Sequence, residues 1–393
     1  MRKLLFSLLF IPFVLDSYSQ DTLLWKFSTD GEINSSPTIS GNHIYFGSGD
    51  MNLYSVEKYS GRLNWKFKTQ GKIHSTPFLY NEKVLFSSTD GNVYSLDKNS
   101  GKQIWKFKTK GEQRYDLWDY YLSSPVVYNK IVYIGSGDST VYAIGADSGK
   151  LIWSYKTNGI IHATPVLKDS VLYLGSYDGY FYAFDSNTGK LIWKFKTVGD
   201  SYFPKGEIQK AAIIYNNSLI FGSRDYNIYC LDLKTGTGKW NMKERGSWII
   251  ATPFEYKNYI YFGTSDSHLF YCMDASFGEI KWTIPLNMRV YGSASIVDGK
   301  IVFGCFNGKL YFVDPDTGKI DFTFQTEQSK MGYSKIYTSD DKFRNDFELY
   351  GKDMEKSEKQ ILSLGSILSD PLVEDHIVYF GDANGYFYAL KLR

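Results

Sequence analysis

The stretch Gly175–Thr197, GSYDGYFYAFDSNTGKLIWKFKT, decides the fold, because close variants of it recur along nearly the whole chain. Its tryptophan belongs to a series, Trp25, Trp65, Trp105, Trp153, Trp193, Trp240 and Trp282, with successive separations of 40, 40, 48, 40, 47 and 42 residues. A period near forty marks a repeated supersecondary unit. Within each unit the order is a small-small-Pro step, a short apolar run, a polar turn, an apolar run ending in Gly-Ser, an Asp-Gly-type turn, an aromatic run, then Thr-Gly-Lys and the tryptophan. Runs such as VLYLGS, YFYAF and LIWKF are short, rich in β-branched and aromatic residues, and bounded by Gly, Asn, Asp and Ser, so each unit predicts four strands and three turns. Asp90-Gly91 and Asp178-Gly179 supply the positive φ of tight hairpins, and Ser-Gly or Thr-Gly before Lys does so at the third turn.

Eight inner three-strand sets begin near Ser35, Ser75, Ser123, Ala163, Lys210, Ala251, Gly292 and Ser369. Seven outer strands carry the tryptophan, and Phe322 and Phe324 stand where an eighth would be. The chain starts with an orphan outer strand, LLWKFST at Leu23–Thr29, and ends with an orphan inner set, SDPLVEDHIVYFGDANGYFYALKLR. Each terminus holds what the other lacks. The sequence therefore predicts an all-β fold, an eight-bladed β-propeller of four-stranded antiparallel blades, closed by the N-terminal outer strand joining the C-terminal blade. The seven tryptophans are expected to dock neighbouring blades, each burying about 150–250 Å² and contributing up to about 4–6 kcal/mol.

The unbroken period makes residues 20–393 one domain despite a length of 393. The apolar fraction of 43% is ordinary, whereas 18% aromatic residues suits a Tyr- and Phe-rich β protein. The net charge of +2 is scattered through turns and outer strands, so no basic face forms and nucleic acid is not expected as a partner. Residues 1–19 read as a cleavable secretory signal, with Arg2 and Lys3, an apolar run from Leu4 to Leu15, and small residues at Ser17 and Ser19. The run is too short for a stable membrane span. The mature chain is thus expected to be exported, periplasmic or secreted, monomeric and without a transmembrane segment. Cys230 and Cys272 occupy the slot that Ala143 and Ala183 hold in other repeats, and Cys305 follows Gly304 where others have Ser. All three read as small buried side chains, not as a disulfide framework.

In a blade running A to D outward, the D-to-A and B-to-C connections share one face of the disc. Every sizeable extra piece is a D-to-A connection: Lys110–Leu122, Val198–Gln209 and Glu327–Leu368, the last containing the long insertion 327–366 between the outer strand of blade 7 and the inner strand of blade 8. One face has been elaborated, and such loops carry function. In DMEKSEKQILSLG, Asp353 can cap a short helix with Met354, Ile361 and Leu364 on its apolar side and Gly365 ending it, so the insertion reads either as a flap over the channel mouth or as a polar loop.

Aligning the repeats places Asn34, His74, Leu122, His162, Gln209, Ile250, Tyr291 and Leu368 at one position, ringing the channel mouth. The preceding ring, Ile33, Ile73, Tyr121, Ile161, Ile208, Ile249, Val290 and Ile367, reads as packing. Asn34, His74, His162, Gln209 and Tyr291, with Trp248 and Arg289 beside the ring and Arg114, Tyr115, Trp118 and Tyr121 of the first insertion, form the candidate binding face. Trp, Tyr and Arg are the residues that anchor interfaces, although so bulky a loop equally fits a channel plug. No metal is expected at His74 and His162, which lack a convergent third ligand. Asp50, Asp90, Asp138, Asp178, Asp225 and Asp266 recur once per repeat and read as turn chemistry. No nucleophile elbow, phosphate loop or calcium loop is present.

The string AFDSNTGKLIW at Ala183–Trp193, nearly repeated as SLDKNSGKQIW at Ser95–Trp105, resembles the repeat of the pyrroloquinoline quinone (PQQ) propeller superfamily. That superfamily includes quinoprotein dehydrogenases and cofactor-free BamB-like proteins of outer-membrane assembly, which act as protein-binding scaffolds. The dehydrogenases resemble one another in an adjacent Cys pair over the quinone, calcium ligands and a catalytic Asp. Here the three cysteines are far apart and no catalytic residue transfers. BamB-like members look like lipoproteins, and this chain has no cysteine near the expected cut. The sequence therefore points to a non-catalytic, exported scaffold, without a cofactor, that binds a protein or cell-envelope component through the elaborated face. A PQQ-dependent or other small-molecule oxidoreductase, with PQQ and calcium, and a glycan-binding propeller remain the alternative readings.

Overall fold

A computed structural model describes residues 22–392; the segment read as a signal, 1–19, lies outside them. Eight four-stranded antiparallel sheets form the ring, with no mixing between blades. Blade 1, for example, comprises Thr38–Ser40, His43–Gly47, Asn52–Glu57 and Leu63–Lys68. Closure follows the expected route: Thr22–Ser28 is the outer strand of blade 8 and pairs antiparallel with Tyr386–Lys391, in a register that sets Trp25 opposite Ala389 and Phe27 opposite Phe387.

Every outer strand carries a bulge one residue before its aromatic, as at Leu24, Asn64 and Ile192, where the ladder skips a residue. A bulge re-aims the next side chain, and here it turns the tryptophan toward the following blade. The residue facing each tryptophan across the ladder is small: Ser55, Ser95, Ala143, Ala183, Cys230, Cys272 and Ala389. That explains Cys230 and Cys272, whereas Cys305 stands in the Ser slot after Gly304; all three are buried thiols in separate blades. Burial pushes Cys272 up to about 11 and Cys305 up to about 12, so neither is poised as a thiolate.

Beyond the bulge, each tryptophan ring lies on the glycine of the third turn in the next blade. Gly61, Gly101, Gly149, Gly189, Gly236, Gly278 and Gly318 all have positive φ, and a Cβ on any of them would enter the ring of Trp25, Trp65, Trp105, Trp153, Trp193, Trp240 and Trp282 respectively. Five of the seven indoles also donate to a carbonyl of that turn, such as Trp153 Nε1 to Ser186 O at 2.7 Å and Trp25 Nε1 to Lys58 O at 3.0 Å. The missing eighth tryptophan follows from closure. Blade 8 has no third turn, because its outer strand comes from the other end of the chain, so a tryptophan on blade 7 would have no glycine to cover. Phe322 stacks instead on Phe312, with centroids 4.2 Å apart.

Nearer the axis, the Gly of each Gly-Ser step leaves room for an Ile or Val of the next blade: Gly47 for Ile73, Gly135 for Ile161, and around the seam Gly381 for Ile33. The expected apolar packing ring therefore holds at seven positions. Tyr121 is the exception, since it leaves the ring to reach across the channel, and the facing glycine is replaced by Ser87, whose hydroxyl donates to Ser123 O at 2.9 Å. Asp50, Asp90, Asp138, Asp178 and Asp225 each accept from the Tyr hydroxyl four residues on, at 2.6–2.7 Å, as turn chemistry requires. Asp266 does not: its partner is Tyr350 of the long insertion.

Gly189 and Gly41 both sit at positive φ, but only Gly189 lies beneath a ring, with a Cβ due 2.6 Å from Trp153, while Gly41 faces open space. Gly189→Ala should lower stability by about 2 kcal/mol or more and Gly41→Ala by about 1 kcal/mol. Chemical denaturation of the two variants checks the order; equal losses would show that the tryptophan seat contributes nothing.

Candidate functional site

The three insertions converge over one channel mouth. Lys110–Leu122 leaves blade 2, crosses the axis and descends into blade 3, and its side chains are held from blades 3 to 8. Asp116 forms an ion pair with Arg224, a side chain only 1% exposed, whose Nη2 and Nε also donate to Gln209 Oε1 at 2.8 and 3.1 Å. The guanidinium lies 4.4 Å from the Trp248 ring centroid, and Trp248 meets Trp118 and Phe203 edge-on at 5.6 and 4.8 Å. Gln209 Nε2 donates to Trp118 O at 3.2 Å, and Tyr115 OH donates to Glu207 at 2.7 Å. At the end of the loop, Tyr121 OH donates to Leu368 O at 2.9 Å across the channel, with Lys210 Nζ 3.9 Å from its ring centroid.

Between these anchors lies His162, clamped by Asp119 at 3.0 Å on Nδ1 and Glu112 at 3.2 Å on Nε2. Asp119 also accepts from Tyr177 OH at 2.9 Å and from the backbone N–H of Tyr115 at 2.8 Å. Burial alone would strip the proton from His162, yet the two carboxylates outweigh it and hold its pKa up to about 10. The ring is an imidazolium and offers no lone pair to a metal. On the neighbouring blades Glu32 takes His74 Nε2 at 3.1 Å and Lys72 Nζ at 2.7 Å. Burial opposes ionisation of Glu32, but these partners bring its pKa down to about 2.

The long insertion is ordered into two helices, α1 (Glu327–Gly332) and α2 (Met354–Leu362), with a short 3-10 turn at Tyr333–Lys335. Asp353 caps α2 through Lys356 N at 2.9 Å, and Gly365 ends the segment at φ +70°. Ile361 and Leu364 are buried as expected, whereas Met354 is 43% exposed, because the first turn of α2 overhangs the disc. Glu358, on the inner side of α2, accepts from Arg289 Nη1 at 3.0 and 2.8 Å and from the Tyr120 hydroxyl. The helix roof, the plug and blade 7 thus meet at one buried carboxylate. Tyr291 stands beneath, against Phe306 at 4.8 Å, with its hydroxyl 2.8 Å from Ser265 Oγ.

The candidate binding residues divide accordingly. Trp118, Gln209, Trp248, Arg289 and Tyr291 are packed inside the plug and its supports, so on this side the mouth is filled. Asn34, His74, Arg114, Tyr121 and His162 instead line a cavity of about 550 Å³ left between the plug, α2 and blades 8, 1 and 2. A second space of about 290 Å³ continues below it in the channel. Tyr115 is half-buried at the junction. Sequence alignment missed what divides the two halves. The residue after the Gly-Ser step is bulky at three of the four blades where the plug leans, Tyr177, Arg224 and Phe306, with Ser265 of blade 6 leaving room for the Tyr291 hydroxyl, and it is small on the other four, at Ala383, Gly49, Thr89 and Gly137. Gly137 is required there, since a Cβ would fall 2.5 Å from the Glu112 carboxylate.

Comparison with known proteins adds the following. The family model of the outer membrane protein assembly factor BamB matches residues 14–118, 89–243 and 224–340. No curated protein sequence matches the chain. Among solved structures, BamB from Moraxella catarrhalis superposes with TM-score 0.70 at 14% identity, covering 95% of this chain and 100% of that one. A europium-containing methanol dehydrogenase gives 0.67 at 14%, covering 95% and 94%. The quinohemoprotein alcohol dehydrogenase ADHIIG from Pseudomonas putida HK5 gives 0.70 at 13%, covering 95% and 76%. At such identities these likenesses speak for the fold alone. The residues at the mouth do not fit a quinone and its calcium ion: Cys230, Cys272 and Cys305 sit in different blades, and the carboxylates Glu32, Glu112, Asp116, Asp119 and Glu358 are each engaged by protein donors. Among the described residues, no group of three or more His, Cys, Asp or Glu is arranged to hold a metal.

His162 provides a pH test. Its folded pKa, about 10, lies above its ordinary 6.5, so its stabilising contribution is complete below pH 6.5 and is lost as pH rises toward 10. His162→Gln, which leaves Asp119 and Glu112 buried beside a neutral amide, should cost about 3–5 kcal/mol at pH 6, and the difference from the parent protein should shrink between pH 7 and 10. Thermal midpoints across that range check this; a constant difference would mean that the ring is neutral.

Proposed function

The chain belongs to the family of the outer membrane protein assembly factor BamB, and from that membership we propose that it is a non-catalytic scaffold whose elaborated face docks a protein or another component of the cell envelope. The observation that carries this reading is the construction of that face. The three insertions are joined to one another through Tyr115–Glu207, Gln209–Trp118 and Tyr120–Glu358, and the first and third are tied to the blades by the ion pairs Asp116–Arg224, Asp119–His162 and Glu358–Arg289, which makes one platform. A rigid, preorganised platform lowers the ordering cost of binding a large partner. Its solvent side presents Val198, Tyr202, Met331, Tyr350 and Met354, all from the second and third insertions and all at least 43% exposed. Aromatic residues and methionine on a polar surround are the composition of interface anchors.

Export to the periplasm or beyond, and action as a monomer, complete the proposal. Among the described residues no helix is long and apolar enough to cross a membrane. The loss of free thiolates and of an uncommitted carboxylate set at the mouth favours the scaffold over an oxidoreductase.

Capture from envelope extract by the immobilised chain tests the proposal. Replacing Tyr202, Met331 and Tyr350 together by Ser should reduce recovery of the cross-linked partner by about tenfold or more, while Tyr59→Ser with Phe277→Ser on the opposite face should leave it unchanged. The reverse pattern would assign docking to the other face.

A further inference from the structure

We propose that the cavity between the plug, α2 and blades 8, 1 and 2 binds a short, uncharged saccharide. This goes beyond the docking platform, because the cavity opens beside the plug and needs none of the exposed anchors. Its volume, about 550 Å³, falls within the roughly 300–1,000 Å³ of small-molecule sites. It is also a built space: Thr89 and Ala383 line it at the repeat position where Tyr177, Arg224 and Phe306 stand on the plugged side.

Asn34 marks the ligand chemistry. Its side chain lines both the cavity and the channel space below, is only 4% exposed, and its amide oxygen has no hydrogen-bond partner in the protein. A buried polar atom without a partner calls for one from outside, and a carboxamide, with two donors and two acceptor lone pairs, matches a pair of vicinal hydroxyls.

The charges around it exclude an ionic ligand. The carboxylates lining the cavity are matched in number by Lys72, Arg114, His162, Lys359 and, behind Glu358, Arg289. Glu32, Asp119 and Glu358 are held by their cations at 2.7–3.0 Å, so their remaining lone pairs are fixed in direction while the net field is small. Oriented acceptors and donors without net charge suit hydroxyl groups, which both donate and accept. The apolar part of the wall, Tyr120, Tyr121 and Leu122 with Leu362 of α2, offers surface to the C–H faces of a sugar ring. Entry lies between the exposed Lys72, Gln113 and Lys359, a gap bordered by long polar side chains that admits a small molecule or a chain end.

The test is calorimetric titration of the mature chain with maltotriose, cellotriose and triacetylchitotriose, and with trigalacturonate and unacetylated chitotriose as charged counterparts. At least one uncharged trisaccharide should bind with Kd of about 1 mM or tighter, and the charged ones about tenfold more weakly or not at all. Asn34→Leu removes the unpartnered amide, and Leu362→Trp fills the space from the partly exposed roof; each should weaken binding by about tenfold or more. Should Asn34→Leu fail to fold, Leu362→Trp alone decides. The proposal is overturned if no uncharged trisaccharide binds up to about 10 mM, if both variants bind like the parent, or if a charged trisaccharide binds more tightly. Partner capture by the Leu362→Trp variant separates the two readings, because loss of saccharide with full partner recovery leaves the platform intact.

Discussion

The contact on which the wheel depends is the indole lying flat on a turn glycine of the following blade. It imposes several requirements at once. The turn must carry a residue without Cβ, at a φ that glycine alone adopts without strain. The outer strand must bulge to aim the ring forward, and the residue across the ladder must be small enough to let the ring lie down. Ser, Ala and Cys fill that slot interchangeably, which shows that volume and not chemistry is selected there. The same geometry accounts for the single departure. At the joint between blades 7 and 8 the turn does not exist, and the aromatic turns back to stack on Phe312 in its own blade. Closure is secured from the other side of the seam, where Trp25 covers Gly61, Phe46 stacks on Phe387 at 4.2 Å, and Lys58 reaches back to Glu374 and Asp375 at 2.6 and 2.8 Å.

This dependence is also why so much of the fold was legible in the sequence. Ladder, bulge, ring and turn lie within one period, so every element of the contact is written about forty residues from its partner, and repetition raises it above the background. Blade count, closure and the elaborated face follow from alignment alone. The helix in the long insertion was legible for a similar reason: cap, apolar residues and stop lie within Asp353–Gly365. Met354 was misplaced because periodicity assigns a side to a helix but cannot say how far its first turn projects beyond the body it packs on.

The site was less legible because its contacts are made once and over long separations. Arg224 meets Asp116 across 108 residues and Tyr120 meets Glu358 across 238. No period points to such pairs. The traces they leave are departures from the repeat, and these are informative in combination. Ser87 and Tyr121, each an irregularity alone, are two sides of one joint that the plug has opened. Asp266 looks like five other turn aspartates, yet its tyrosine partner comes from the insertion. Bulky residues after the Gly-Ser step, Tyr177, Arg224 and Phe306, occur only in the filled half of the mouth.

The two kinds of contact have different physical consequences. The rim contacts bury apolar surface, whose stabilisation grows with area and tolerates exchange of similar volumes. The plug contacts are buried ion pairs, in which desolvation offsets much of the attraction, so they add little net stability but penalise any arrangement that separates the charges. A loop of alternating aromatic and charged residues could collapse over the channel in many ways if apolar burial alone positioned it. With Asp116 requiring Arg224 on blade 5, and Asp119 and Glu112 requiring the two nitrogens of His162 at the start of blade 4, few arrangements of the loop leave no charge bare. The same pairing keeps the adjoining cavity open: carboxylates already satisfied on one side cannot fold further inward without losing their partners, so the hollow half of the mouth persists as a consequence of how the filled half is held.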